Sequence, residues 1–299
     1  MKEMRRMLSK VSVSLLRGVG HLPRWVLIGL SRFIFVLLYY ISRYRKQVIC
    51  ENLKKSFPQK TQKERKNIRK KYYRQIAELA LESLFILQVK PEEVNKWIEI
   101  KNPELLQSYV EQNKDIALLA GHYGNWEMLS FLVPRFNMKS IAIYKPVHNQ
   151  DFEKLMKDIR ERFGTQAVPM KQVFKYLIRY RKENIPVITL YITDQTPNFA
   201  DIEYYTTFLN QKTPVFLGPE KIAKKWDHIV IYASMQKKGF ARYSIRFHLI
   251  SEHPKDEPPY AITNRHTKVL EQDIIRKPEY WLWSHRRWKY VDFVPDSKK

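Results

Sequence analysis

The sequence predicts an α/β fold, a mostly parallel central sheet flanked by helices, with an N-terminal membrane helix ahead of it. Three observations carry that expectation. Short apolar runs (Ile116 to Ala120, Ser140 to Tyr144, Gln166 to Pro169, Pro186 to Ile192) alternate with amphipathic segments, the pattern of strands joined by crossover helices. Between the first run and an apolar segment from Met128 to Val133 stands Gly121-His122-Tyr123-Gly124-Asn125-Trp126-Glu127. Such a strand-to-helix turn holds side chains at the carboxyl edge of a parallel sheet. Near the start, Trp25 to Ile41 reads WVLIGLSRFIFVLLYYI, apolar but for Arg32.

That apolar stretch sits at the short end of the ~17–25 residues a spanning helix needs. Trp25, Tyr39, Tyr40 and Tyr44 fall near its ends, where interfacial aromatics belong. Residues 1–46 carry ten Lys and Arg against one acid, Glu3. The basic residues flank the stretch on both sides, so they do not set its orientation. Three readings stand: a single-pass anchor, an interfacial helix, or an apolar helix of the globular body. Residues 47–299 form the body, with no further boundary and no internal repeat. No cleavable leader is expected, because no small-residue cleavage site follows the apolar stretch.

Composition narrows the partners. Across 299 residues there are 54 Lys and Arg and 30 Asp and Glu, a formal charge of +24. Such an excess favours an acidic partner: nucleic acid, an anionic membrane or an acidic protein. One cysteine, Cys50, excludes an internal disulfide and a Cys-rich metal site. The histidines outside the turn show no metal-ligand spacing.

Along the body, Thr61-Gln62-Lys63-Glu64 is a capping box. It opens a long helix whose apolar stripe is Ile68, Tyr72, Ile76, Leu79, Ala80, Ser83 and Leu87. Its basic face (Lys63, Lys66, Arg69, Lys70) is either plain solvated surface or a docking surface. Further helices are expected over Asp151 to Phe163 and Lys171 to Lys182. Ile229 to Met235 and Arg242 to Ile250 form a hairpin added at the sheet edge. Tyr243, Ile245, Phe247 and Leu249 share one face of its second strand. A helix from Tyr260 to Arg276 and an aromatic C-terminal segment complete the chain.

The turn carries the chemistry. Its two glycines let the backbone bend sharply, and Asn125 is a good helix N-cap. His122 in the turn and Glu127 in the first helical turn can then meet. A carboxylate on one ring nitrogen fixes the tautomer and leaves the other nitrogen to take a proton. The alternative is a buried histidine near a helix-terminal glutamate.

His122-Tyr123-Gly124-Asn125-Trp126-Glu127 resembles the HX4D/E motif of glycerolipid-type acyltransferases, in the form found in the late acyltransferases of lipid A biosynthesis. Further segments match that family. They are Asn52-Leu53 with Phe57-Pro58, Arg160 to Gly164, Thr193-Asp194-Gln195, Gly218 to Ala223, and Tyr280-Trp281-Leu282-Trp283-Ser284-His285-Arg286-Arg287-Trp288-Lys289. Tyr144-Lys145-Pro146 with Asn149 also matches, with Lys145 where Arg is usual. Phe208-Leu209-Asn210 stands where an aromatic-aromatic-Gly is common.

The resemblance spans about residues 45–290. It implies a glycerolipid-acyltransferase-like fold that moves a fatty acyl chain from acyl carrier protein to a hydroxyl of an anionic membrane glycolipid, most simply a lipid A precursor. His122 and Glu127, with Arg160, would be catalytic. Asn125, Lys145, Arg162, Asp194, Gln195 and Arg286 would bind substrate. No metal, cofactor or acyl-cysteine is implied, and nucleic acid is not a partner. The protein would sit at the inner membrane with its catalytic body in the cytoplasm. Three alternatives stay open: another lipid acceptor such as an amino-acid lipid, structural salt-bridge or capping roles for Arg160 and Asp194, and a non-catalytic polyanion-binding protein.

Overall fold

The structure, a computed structural model, describes residues 2–291. Helices α1 (Lys2–Gly20) and α2 (Arg24–Val36) come first, and a π-helical turn, Leu37–Ile41, extends α2. Next are α3 (Lys46–Ser56), α4 (Gln62–Phe85), the short α5 (Val94–Trp97), β1 (Ile98–Ile100), α6 (Pro103–Glu111) and β2 (Ile116–Ala120). After these come α7 (Val133–Phe136), β3 (Lys139–Tyr144), α8 (Gln150–Glu161), β4 (Gln166–Pro169), α9 (Val173–Lys182) and β5 (Val187–Ile192). The ribbon β6 (Tyr205–Phe208) and β7 (Gln211–Pro214) precedes α10 (Gly218–Trp226), β8 (Ile229–Gly239), β9 (Arg242–Ser251) and α11 (Ala261–Arg276).

Seven strands form one sheet in the order β1-β9-β8-β2-β5-β3-β4. β8, β2, β5, β3 and β4 run parallel, while β9 is antiparallel to β8 and β1 is parallel to β9. The hairpin is therefore not the edge. β1 covers it, a three-residue strand too short to register as an apolar run. Within β9, Tyr243, Ile245 and Phe247 are buried as their alternation requires. Beside the bulge opposite Val230 and Ile231, Leu249 is exposed instead and Ile250 buried.

Two apolar layers cover the sheet. One gathers Leu106, Phe131, Leu155 and Ile159; the other gathers Val173, Leu177, Ile222, Ile262, Leu270 and Trp283. α4 begins at the capping box, with the Thr61 side chain and the Glu64 backbone and carboxylate bonded reciprocally. Its buried face is wider than one stripe: Tyr73, Gln75, Ala77, Leu81, Glu82, Leu84 and Phe85 are inside, while Ala80 is exposed. The cause is its position between α2 and the sheet edge. Glu82, fully buried, accepts from Tyr243 Oη at 2.6 Å and the Ala241 N–H at 2.9 Å, and pairs with Lys237 at 2.8 Å. α4 thereby crosses the carboxyl end of β8. Arg69, on the basic face read as either solvated or docking surface, reaches Cys50 Sγ at 2.6 Å.

α2 lies antiparallel on α4. Arg24 reaches the Phe240 carbonyl at 3.2 Å at one end, and Tyr39 packs on Tyr73 at 5.4 Å at the other. Leu27, Ser31 and Phe35 are buried inward, whereas Trp25, Phe33, Tyr40 and Ile41 remain exposed.

Candidate active site

β2 ends at Ala120, and its neighbour β5 ends in register at Ile192. The segments leaving these two strands build the site. Gly121 packs so closely on Leu270 that a Cβ would lie 2.8 Å from its methyl. Gly124 holds φ +66°, and a Cβ there would meet the Tyr243 ring at 2.9 Å. Gly124 therefore needs glycine, whereas at Gly121 the close contact is with the end of the Leu270 side chain. The turn is bolted to the C-terminal segment: Tyr123 bridges to Trp281, and the Gly124 N–H donates to the Tyr280 carbonyl at 3.0 Å.

Asn125 caps the following turn, its Oδ1 accepting the Glu127 N–H at 3.2 Å. The helix expected over Met128 to Val133 is a 3-10 turn, Trp126–Leu132, that passes into α7. Met128 to Leu132 are all buried there. Asn125 itself is wholly buried, which suits a cap better than a substrate contact.

His122 and Glu127 do not form the expected pair. The His122 Nδ1 lies 2.6 Å from Asp194 Oδ1, which also accepts the His122 N–H at 3.0 Å. Glu127 is held elsewhere: Arg160 Nε and Nη2 donate to its two oxygens at 2.8 and 2.7 Å, and Trp126 Nε1 donates at 3.1 Å. The tight 3-10 turn after Asn125 carries Glu127 toward α8. Asp194, arriving from the neighbouring strand, takes the imidazole. Trp126 packs edge-on against the His122 ring at 4.6 Å.

Asp194 is a built carboxylate. Trp281 Nε1 donates to its Oδ2 at 2.6 Å. Burial would raise its carboxyl, but the adjacent His122 and the hydrogen bonds from His122 and Trp281 outweigh burial and hold it at about 2. Asp194 stays ionised throughout the working range, so it fixes the Nδ1–H tautomer and can stabilise an imidazolium. His122 Nε2 is left for chemistry, 3.1 Å from the Gln195 side-chain amide. Burial works against the Arg160 cation, yet Glu127 overcomes it and keeps that pKa above its ordinary value.

The remaining expected residues divide. Lys145 is exposed in the loop after β3. Arg162 donates to the Val89 carbonyl and lines a groove of about 520 Å³ with Arg17, His21 and Asp158, between α1 and α8. Arg286 is exposed and offers its carbonyl to Thr196. Two residues of the C-terminal motif matter more to the dyad than Arg286. Trp281 is one. Arg287, 2% exposed, is the other: burial lowers its pKa to about 10, with Asp194 the charge that resists the fall. His285 Nε2 accepts the Thr196 N–H at 3.1 Å, and burial lowers its pKa to about 4. The motif was visible in the sequence, but nothing in its spacing says which of its side chains turn inward.

The family described as "Bacterial lipid A biosynthesis acyltransferase" matches residues 2–290. Among curated proteins, the chain is 24% identical over 272 residues to a "Lipid A biosynthesis palmitoleoyltransferase" of Escherichia coli, covering 90% of this chain and 86% of that one. It is 21% identical over 288 residues to a "Lipid A biosynthesis lauroyltransferase" of the same organism, covering 94% and 91%. A "Lipid A biosynthesis acyltransferase" of Haemophilus influenzae is 20% identical over 287 residues, covering 95% and 86%. With the match running almost end to end over a parallel sheet whose carboxyl edge holds His122, the chain belongs to the bacterial lipid A biosynthesis acyltransferase family and is an acyltransferase.

Proposed function

We propose that the protein transfers a fatty acyl chain from the thioester of acyl carrier protein to a hydroxyl of a lipid A precursor, with His122 as the general base. The observation that carries this reading is the division of labour on one imidazole: Nδ1 bound to a buried carboxylate, Nε2 open beside an exposed amide. The acceptor hydroxyl displaces Gln195 from Nε2 and loses its proton there as its oxygen attacks the thioester carbon. Asp194 stabilises the imidazolium, and the proton then passes to the departing carrier thiolate. The oxyanion needs donors in fixed positions. The Gln195 amide beside Nε2 and the Arg160 guanidinium are the donors proposed for it.

Glu127 thus acts through Arg160, not on the base. Lys145, Arg162 and Arg286 are cations suited to the phosphates of such an acceptor. Residues 1–46 place the body at the cytoplasmic face of the inner membrane, with residues 47–299 as the catalytic part. The +24 charge draws in two acidic substrates, carrier and lipid. The test is transfer of a labelled acyl group from the carrier to purified acceptor, with mass spectrometry of lipids from a deletion strain. A missing acyl chain on an amino-acid lipid, with lipid A intact, would replace the acceptor named here.

A further inference from the structure

We propose that Tyr243, fixed by the buried Glu82, is a positioning residue for the His122–Asp194 dyad. The proposal rests on the reading of His122 as the base and adds a residue that meets no reacting atom. β8 pairs with β2 as far as Tyr232 and then runs on to Gly239, past the end of β2 at Ala120. The turn from Gly121 to Glu127 leaves β2 at that point, so it lies beside the overhanging part of the β8–β9 hairpin. Contact falls at Gly124, where a Cβ would lie 2.9 Å from Tyr243 Cε1 and 3.2 Å from Met235 Sδ. The Tyr243 ring thus fills the space of the side chain that Gly124 lacks.

The ring is held by a polar network that the acyl transfer leaves unused. Tyr243 and Glu82 are both buried. Tyr243 Oη donates to Glu82 Oε2 at 2.6 Å, while the Ala241 N–H and Lys237 Nζ reach Oε1 at 2.9 and 2.8 Å. Lys237, opposite Tyr243 across the hairpin, also reaches Gln75 and Glu78. Burial and the Glu82 charge push the Tyr243 hydroxyl well above its ordinary pKa, so it remains a donor. Burial would lower the Lys237 ammonium, but Glu82 and Glu78 outweigh it and keep it charged. A buried ion pair is a weak source of stability. A satisfied buried network does something else: it holds its members in one arrangement, here with the ring against Gly124.

A shift of Gly124 reaches both members of the dyad. His122 stands two residues before it. The Gly124 N–H donates to the Tyr280 carbonyl at 3.0 Å, and the next residue, Trp281, holds Asp194 through its indole at 2.6 Å. A ring that keeps Gly124 in place therefore sets the imidazole and its carboxylate together. A misplacement of ~1 Å in such a pair costs on the order of 10²-fold in rate.

The test compares the full chain in detergent micelles with Tyr243→Phe, Tyr243→Leu, Gly124→Ala and the Gly124→Ala/Tyr243→Leu pair. The readouts are acyl-transfer kinetics, thermal unfolding and the low-field proton resonance of the His122–Asp194 hydrogen bond, identified by its loss in Asp194→Asn. Tyr243→Phe keeps the ring and should keep the resonance, with kcat within ~5-fold of the parent. Tyr243→Leu removes the ring and should displace the resonance and lower kcat ~10²-fold, with KM within ~2-fold. Gly124→Ala sets a methyl against the ring and should act likewise from the other side of the contact. The pair should recover part of both losses, because leucine gives the methyl room; a residue that only stabilised the fold would give additive losses. A folded Tyr243→Leu or Gly124→Ala chain with an unmoved resonance, or a pair as impaired as the two singles combined, overturns the proposal. A resonance displaced without loss of rate keeps Tyr243 as the residue that positions the dyad and removes His122 from its role as the base.

Discussion

Asp194→Asn decides which carboxylate serves His122. Asp194 is 6% exposed and is bound by His122 twice and by Trp281 once. Burial pushes its carboxyl up, yet those partners bring it from 3.8 to about 2. At about 1.4 kcal/mol per pH unit, the net attraction is ~2–3 kcal/mol. The share directed at the imidazolium is lost with the charge, so kcat/KM should fall ~10- to 100-fold while KM moves little. Melting temperature should change modestly, because Asn keeps the shape and one acceptor. Glu127→Gln should behave differently. It strips the partner from Arg160, whose side chain is 22% exposed, and removing one member of a buried pair costs ~3–5 kcal/mol of stability. The assay is labelled acyl transfer across pH, paired with thermal unfolding. If Asp194→Asn turns over like the parent, while a folded Glu127→Gln loses the rate and shifts the pH profile, Glu127 works the ring and the dyad is misassigned.

Buried charge sets the other expected outcomes. His266 is buried and its pKa is lowered to about 4, chiefly by burial. Only the unfolded chain takes up its proton between pH 6.5 and 4, so stability should fall by about 3 kcal/mol as pH drops through that window. Urea melts of His266→Gln should show a visibly shallower pH slope, and an unchanged slope would rule out His266 as the cause. Glu82→Ala leaves Lys237 buried with only Glu78 and Gln75; a loss of ~3 kcal/mol or more is expected by thermal unfolding, largely restored when Lys237→Met is paired with Glu82→Gln. Carrier affinity should weaken as salt rises from 0.1 M toward 1 M and the Debye length falls from ~10 to ~3 Å; titration by fluorescence anisotropy that shows no salt dependence would remove the electrostatic argument for the donor.

The parallel strands were legible because each is a short apolar run closed by a turn, and β2 and β4 fall on the predicted residues. The capping box of α4 was legible for the same reason: it is local. β1 was not, since three residues carry no period. The pairing of His122 was misread because chain proximity favoured Glu127, five residues on. Asp194 is 72 residues away and becomes its neighbour only through the register of β2 with β5. Asp194 itself was singled out, as a substrate-binding residue. Its role changed once the sheet placed it. Trp281 and Arg287 lay inside a recognised motif, yet a linear pattern does not tell a side chain facing solvent from one facing a carboxylate.

The bolting of the turn to the C-terminal segment has a consequence for when the enzyme becomes competent. Asn52 Nδ2 donates to the Trp283 carbonyl 231 residues away, and Tyr72 Oη to Ser284 Oγ 212 residues away. The segment that fixes Asp194 is made after every strand of the sheet, and it docks against α3 and α4, which are made before it. A chain still emerging from the ribosome holds His122 and Asp194 but lacks the indole that aligns them. Closing so long a loop is among the slower steps of folding, so the base is assembled after the body has formed, and the dyad takes its geometry only once the Trp281 segment has docked.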